Sequence, residues 1–330
     1  MKKKYIIIKF TIAIMGLILM VFVCTTIGTI QVSFLDLISG LITGTNKDVN
    51  IIRDVRLPRI FISIFTGASL ATSGLLLQSV MRNPLVDPGI IGISAGASLF
   101  MTGVMTFIPG LFFYATGFGI IGGFAACTIV YFLAFKGHTL SPLRIILAGI
   151  AVNAMFEGLA KVLTYMSGTN NMMMLSLASA STTGKQWSDV RFMIILSMIG
   201  LVLAFLQYRN CNILSLGDKN AKALGVKVNQ QRIMITVIAV LLAVVPTSQV
   251  GIIGFVGLVV PHLSRIIVGK EHKILIPFTA LLGGLMLVIA DFLGRVIAYP
   301  MEVPIDIVMA IIGAPFFLYM LKRSDKVHAS

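Results

Sequence analysis

Long stretches without a charged residue constrain this chain more than any other feature of its sequence. Pro88 to Phe135 is a run of 48 residues that contains no Asp, Glu, Lys or Arg. Because about 20 apolar residues in a helix cross the ~30 Å hydrocarbon layer of a bilayer, this run predicts two crossings with a turn at Pro109-Gly110. The chain is 57% hydrophobic and only 12% charged, which excludes an ordinary soluble domain.

Other charge-free stretches predict the remaining spans of an all-α, polytopic membrane protein. The first, Phe10 to Leu35, is longer than the apolar core of a signal peptide and is interpreted as a transmembrane helix. Ile233 to His262 fits either one long tilted helix or two short helices broken near Pro246. The other predicted spans are Ile60 to Met81, Ser141 to Met166, Phe192 to Tyr208, Ile274 to Ile297 and Ile305 to Leu321.

The distribution of basic residues predicts the orientation. Lys and Arg number 26 against 12 Asp and Glu, a formal charge of +14. In a membrane protein this excess is typical of basic cytoplasmic loops and does not indicate a nucleic-acid partner. Ten crossings place Lys2, Lys3 and Lys4 on the same side as Lys322 and Arg323. We therefore expect one transmembrane domain over residues 1–330, with ten helices and both termini in the cytoplasm.

Cysteine and histidine residues give no sign of a metal centre. The three cysteines lie far apart in sequence and have no CxxC spacing, so neither a disulfide framework nor a zinc site is predicted. The four histidines all fall in predicted cytoplasmic positions. No metal pathway through the bilayer is therefore expected.

Small residues recur at helical spacing along the second and third predicted spans. Close contact between helix backbones in a membrane needs small side chains, so these positions predict helix packing within a bundle. They are Ser63, Gly67, Ala71, Gly74, Gly92 and Gly96.

Charged residues occur where the predicted spans should be apolar. Glu157 and Lys161 lie at i and i+4 in the fifth span, and Asp291 and Arg295 have the same spacing in the ninth. A charge at membrane depth is costly, so such residues normally face a partner or a wet cavity. Each pair is interpreted either as a structural ion pair or, for the fifth span, as part of a water-accessible pathway. Asp306 has no charged neighbour in sequence.

Three arginines stand together on the predicted outer side, in the segment RDVRLPR. Arg53, Arg56 and Arg59 would form a one-sided cationic stripe if this segment were helical, with Arg295 at the same level. Guanidinium groups pair with carboxylates in a bidentate manner, so the stripe predicts docking of an acidic extracytoplasmic partner. Lipid headgroups are the alternative ligand.

A long polar loop on the predicted inner side stands out among short connections. It occupies residues 212–230 and contains NILSLGDKNAKALGVKVNQ, which can form short helices at the membrane surface. Long loops in otherwise compact proteins are often functional.

Five ordered blocks resemble the FecCD-type permeases, the membrane subunits of ABC importers for ferric siderophores, haem and cobalamin. The longest is GASLATSGLLLQSVMRNPLVDPGIIGISAGAS, from Gly67 to Ser98. The others are LPR at 57–59, SLGDKNAKALGV at 215–226, GFVGLVVPHLSR at 254–265 and EVPIDIVMAIIGAPFFL at 302–318. Five blocks in the same order are far more specific than any single motif.

This resemblance implies a permease subunit in the bacterial cytoplasmic membrane. Its partners would be a second permease subunit, two cytoplasmic ATPase subunits, a substrate-binding lipoprotein or periplasmic protein, and membrane lipids. Docking of the binding protein is implied for Arg56, Arg59 and Arg295. Coupling to the ATPase is implied for the 214–228 segment, at Leu216, Gly217, Asp218, Ala221, Leu224 and Gly225. The expected translocation pathway includes Gly67, Gly74, Gln78, Glu157, Lys161 and Met166, together with a soft wall of Met155, Met172, Met173 and Met174.

The chain departs from the family pattern at two places near the outer side. Asp306 stands where the last block usually has Gly, and residues 178–187 match the family's Gly-rich loop poorly. Both departures bear on the identity of the cargo. A ferric siderophore is expected first and haem next, with cobalamin as an alternative, because siderophore transport is the commoner use of the family.

The sequence has no GxxxxGK[ST] phosphate loop, so the chain is not expected to be an enzyme. It should bind no cofactor itself, and its partner subunits should use ATP and Mg. Two other classes remain open. Buried charges would suit a proton-coupled secondary transporter, and a receptor or assembly protein would not transport at all.

Overall fold

The computed structural model describes residues 2–26, 47–136, 139–167 and 180–328, and the chain in these ranges is almost entirely helical. The first half contains α1 (Lys2–Thr26), α2 (Lys47–Ile51), α3 (Leu57–Met81), α4 (Ile93–Phe107), α5 (Ala115–Ala134) and α6 (Pro142–Met166). The second half contains α7 (Trp187–Leu206), α8 (Tyr208–Ser215), α9 (Asp218–Ala223), α10 (Val228–Val250), α11 (Val256–Val268), α12 (His272–Ile297) and α13 (Ile305–His328). Wider π-helical turns at Ile52–Arg56 join α2 to α3, and short 3₁₀ turns at Pro88–Ile91 and Pro109–Tyr114 flank α4.

A minimal hairpin is the exception to the all-α prediction. Strand β1 (Phe135–Lys136) pairs with β2 (Thr139–Leu140) in antiparallel register, with Phe135 opposite Leu140. It lies between α5 and α6.

Seven helices within the described residues are long and apolar enough to cross a membrane. They are α1, α5, α6, α7, α10, α12 and the continuous helix Val49–Met81, which includes α3. The shorter helices α4 and α11 and the start of α13 are also apolar. The predicted turn at Pro109-Gly110 is confirmed, because α4 ends at Phe107 and a 3₁₀ turn begins at Pro109. The chain is therefore a multi-pass membrane protein.

The ambiguous region around Pro246 forms two helices, but the break lies after the proline. Helix α10 continues through Pro246 to Val250, and α11 begins at Val256. The break falls at Gly251, whose φ of 101° is strained for any residue with a Cβ. Helix α10 therefore ends at Gly251, whereas the sequence pattern predicted a break near Pro246.

Helix α3 forms the centre of the bundle. Every residue from Thr66 to Met81 is buried, and the helix packs against α7, α10, α11 and α12. A Cβ at Gly67 would collide with the backbone carbonyl of Gly283 in α12, and one at Gly74 with that of Gly257 in α11. The small-residue packing predicted from the sequence is thus confirmed at both glycines, because only a missing side chain lets these backbones approach.

Candidate docking and coupling sites

One end of the bundle, which the sequence predicts to be the outer end, holds a network of charges around Asp291. Asp291 is only 2% exposed, and Arg59 Nε lies 2.9 Å from its Oδ1. Arg295 Nε lies 3.5 Å from Oδ2, and the Thr182 hydroxyl donates to Oδ1 over 2.6 Å. A buried carboxylate is stable only when it is paired and hydrogen-bonded, and these three partners satisfy that condition. The network joins α3, α12 and the segment before α7.

Glu302 forms a second ion pair with the Arg59 guanidinium. Arg59 Nη1 lies 3.0 Å from both carboxylate oxygens of Glu302, and the Thr183 hydroxyl donates to Oε2 over 2.8 Å. Burial alone would raise the pKa of Glu302, but the charge of Arg59 and the hydrogen bonds from Thr183 and Arg59 outweigh it and hold the pKa below its ordinary value. The Glu302 side chain is 44% exposed, so this carboxylate lies at the rim of the network.

The predicted one-sided stripe of arginines is wrong. Arg53 is exposed and pairs with its neighbour Asp54, whereas Arg56 is buried and donates to the Thr25 carbonyl at the end of α1 over 2.8 Å. Arg59 turns into the charge network. The wider π-helical turns at Ile52–Arg56 change the number of residues per turn, so a three-residue step no longer keeps side chains on one face.

The sequence placed Arg59 and Arg295 at one level but did not predict all of their partners. The predicted pair of Asp291 and Arg295 is confirmed, and Asp291 also binds Arg59. Thr182, Thr183 and Glu302 were not recognised, although the first two lie in the loop that departs from the family pattern. Docking through Arg56, Arg59 and Arg295 stays a prediction.

Residues of the departing loop also connect the end of α10 to the start of α13. The Ser181 amide donates to the Val250 carbonyl at the end of α10, and the Ile305 amide donates to the Ala180 carbonyl. Lys185 lies in the same loop, and burial lowers its pKa while Asp189 opposes the shift. The second departure, Asp306, lies in the first turn of α13, and its Oδ1 is buried without a hydrogen-bond partner within the described part of the chain.

Between α7 and α10, on the side predicted to be the inner one, α8 and α9 form a two-faced segment. Glycines with positive φ flank α9, at Gly217 (96°) and Gly225 (77°). The amides of Gly225 and Val226 donate to Lys222 and Ala221, which is the Schellman arrangement that ends a helix at glycine. The sequence therefore limits α9 to six residues between two obligatory turns.

Part of this segment packs against the bundle, and part of it is exposed. Ala221 is fully buried, and Asp218 accepts a 2.8 Å hydrogen bond from Arg232 at the start of α10. Leu216 and Leu224 are 57% and 61% exposed. The six predicted coupling residues therefore lie together. Exposed leucines in a polar segment are typical of a protein interface.

The predicted pathway residues divide into two groups. Gly67, Gly74 and Gln78 are buried between helices, and Gln78 donates to the carbonyls of Val86 and Gly257. Glu157, Lys161 and Met166 are exposed along α6.

The expected ion pair between Glu157 and Lys161 is absent within the described residues, where Glu157 instead accepts a 2.8 Å hydrogen bond from Asn153. Met155 is also exposed on α6, whereas Met172, Met173 and Met174 lie outside the described residues. The pathway assignment of all six residues stays a prediction.

Comparison with known proteins identifies the family. The model of the FecCD transport family matches residues 16–323. The chain belongs to this family. Similar proteins include the "Probable heme-iron transport system permease protein IsdF" of Staphylococcus aureus strain MSSA476. It is 38% identical to this chain over 299 residues, which are 91% of this chain and 90% of the relative. The protein of the same name from strain Newman is 37% identical over the same lengths.

Two solved structures are similar to this chain in fold. A protein assigned to the metal-chelate type of ABC transporter, solved in an inward-facing conformation, matches with a TM-score of 0.83 and 30% identity over 98% of this chain and 99% of that chain. PsaBC from Streptococcus pneumoniae, in complex with Fab, matches with a TM-score of 0.58 and 19% identity over 87% and 95%, which supports the fold alone. No group of three or more potential metal ligands occurs in the ranges that the structure describes.

Proposed function

We propose that this chain is the permease subunit of an ABC importer that carries an iron chelate across the bacterial cytoplasmic membrane. The observation that carries the proposal is the two-faced α8–α9 segment of a FecCD family chain, in which Leu216 and Leu224 are exposed while Asp218 is anchored to Arg232. Two separate ATPase subunits would bind the exposed face and hydrolyse ATP with Mg. This chain would bind no cofactor of its own.

The topology follows from the charges and the apolar helices. We assign ten crossings with both termini in the cytoplasm, because this arrangement places the basic N-terminus, the α8–α9 segment and the basic C-terminus on one side. Large apolar side chains are exposed along α6, among them Leu147, Met155 and Leu159. Such a surface needs lipid or protein against it, which suits a second permease subunit across a central pathway.

Haem is the cargo to test first. The relatives at 37–38% identity are named for heme-iron transport, whereas the preference for a ferric siderophore rested only on how common that use is in the family. Cobalamin remains the third candidate. A substrate-binding protein on the outer side would deliver the cargo to the Arg59 network.

Transport would be driven by movement of the α8–α9 segment. Nucleotide binding closes the ATPase pair, the exposed leucines move with it, and the membrane helices change between outward-open and inward-open arrangements. The substrate would pass along the subunit interface when the outer and inner ends open in turn.

Reconstitution tests this proposal. The chain is placed in proteoliposomes with its ATPase and haem-loaded binding protein, and haem uptake is measured with and without ATP. Leu216→Asp combined with Leu224→Asp should abolish ATPase binding, because both changes put a charge into the exposed apolar face. Lys222→Ala, an exposed change in the same short helix, is the matched control. Uptake driven by a proton gradient without the ATPase would instead support a secondary transporter.

A further inference from the structure

The buried guanidinium of Arg232 connects segments that are distant in sequence. Arg232 is 1% exposed and lies near the inner end of α10. Its Nη2 donates to Asp218 in α9 over 2.8 Å, and its Nη1 donates to the carbonyl of Leu140 over 2.8 Å. A rigid two-armed cation in an apolar site is held in one geometry, because leaving either arm unpaired is costly.

The second contact reaches the helix that is predicted to line the pathway. Leu140 ends β2 and lies two residues before the start of α6. Helix α6 carries Glu157, Lys161 and Met166 on its exposed side. The Arg232 side chain therefore links α9 to the segment just before α6.

Asp218 also pairs with a second cation, Arg82 at the end of α3. Arg82 Nη2 lies 3.4 Å from the same Oδ1, at the left-handed residue that ends α3, and its side chain is 39% exposed. An exposed pair at this distance contributes little. Of these two arginines, Arg232 is the one that also contacts the segment before α6 within the described residues.

We propose that Asp218 and Arg232 are positioning residues that transmit movement of the ATPase seat to α6. Asp218, whose side chain is 36% exposed, would act through Arg232, and the more exposed Leu216 and Leu224 would form the apolar part of the partner-facing side. This inference rests on the proposed function, and it assigns distinct roles to residues that the sequence grouped as one coupling segment.

The test compares Asp218→Asn with Arg82→Gln in the reconstituted transporter. Asp218→Asn keeps the shape of the side chain but removes the charge that holds Arg232. We expect the variant to bind the ATPase normally and to hydrolyse about tenfold more ATP per cargo molecule transported. Arg82→Gln removes the other cation and leaves the bridge to Leu140 intact, so its coupling should match the wild type.

A distance measurement supplies a second readout. Spin labels at Lys219 in α9 and Leu143 in α6 occupy exposed positions, and the native cysteines are buried. In the wild type, nucleotide binding should leave the distance between the labels unchanged, because the two segments move together. In Asp218→Asn, nucleotide should change this distance.

Arg232→Lys is the second variant for the case in which Asp218→Asn does not fold. It keeps the buried charge but loses the two-armed geometry, so uncoupling is again expected. Wild-type coupling in either variant, equal uncoupling in Arg82→Gln, or loss of ATPase binding in Asp218→Asn would overturn the inference. If the wild-type transporter itself showed no ATP-dependent uptake, the proposed function would fail instead.

Discussion

Arg59 and Asp291 lie 232 residues apart in sequence and form an ion pair between the start of α3 and the C-terminal part of α12. Glu302 occupies the other arm of the same guanidinium. Arg59, one of the three arginines that the family resemblance assigns to docking, is therefore already paired with two carboxylates of the same chain. A carboxylate from a binding protein would have to replace Glu302, the more exposed of the two partners.

Asp291→Asn should destabilise the protein by about 3 to 5 kcal/mol, because it leaves the charge of Arg59 without its buried partner. The measurement is the thermal unfolding of the purified protein in detergent. Asp54→Asn makes the same chemical change in an exposed pair with Arg53 and should lower the unfolding temperature far less, because water screens that pair. Equal effects of the two variants would show that the network does not stabilise the fold.

Glu302→Gln should strengthen docking of the substrate-binding protein several-fold, because it removes the internal competitor for Arg59. The dissociation constant would be measured by surface binding to the permease complex in nanodiscs. Glu271→Gln, an exposed change at the inner end before α12, is the control. Unchanged or weaker docking would show that Glu302 does not compete.

Glu302 should also make stability depend on pH. Since its pKa in the folded protein lies below the ordinary value of 4.5, its contribution is fully present above that value and is lost as the pH falls through the folded pKa. Melting temperatures between about pH 7 and pH 3 should therefore fall less steeply for Glu302→Gln than for the wild type. Parallel curves for the two proteins would contradict the assigned ion pair.

Gly67→Ala should destabilise the bundle by about 1 to 3 kcal/mol, because the added methyl group would collide with the Gly283 backbone and force α3 away from α12. Gly158→Ala in α6 is the matched control, since a Cβ there meets no atom within 4 Å. Thermal unfolding in detergent measures both. A Gly67→Ala protein as stable as the control would show that the helices can separate without cost.

The pairing of distant charges could not be predicted from the sequence. The spacing of Asp291 and Arg295 indicated a local pair, because residues four apart share one face of a helix. Nothing local places Thr182 or Glu302 beside them, since those contacts depend on how loops close over helix ends. The arginine stripe failed for a similar reason, because π-helical turns at Ile52–Arg56 altered the phase of the helix.

The sequence by itself determined that this chain crosses a membrane many times, belongs with the FecCD permeases and carries a polar segment at residues 212–230. Hydrophobic length, glycine spacing and ordered motifs are local properties, so they can be seen without coordinates. Only the tertiary structure decided which side chains are available to partners. Asp218 faces Arg232 while Leu216 and Leu224 remain exposed, because burial is set by the packing of helices that are far apart in the chain.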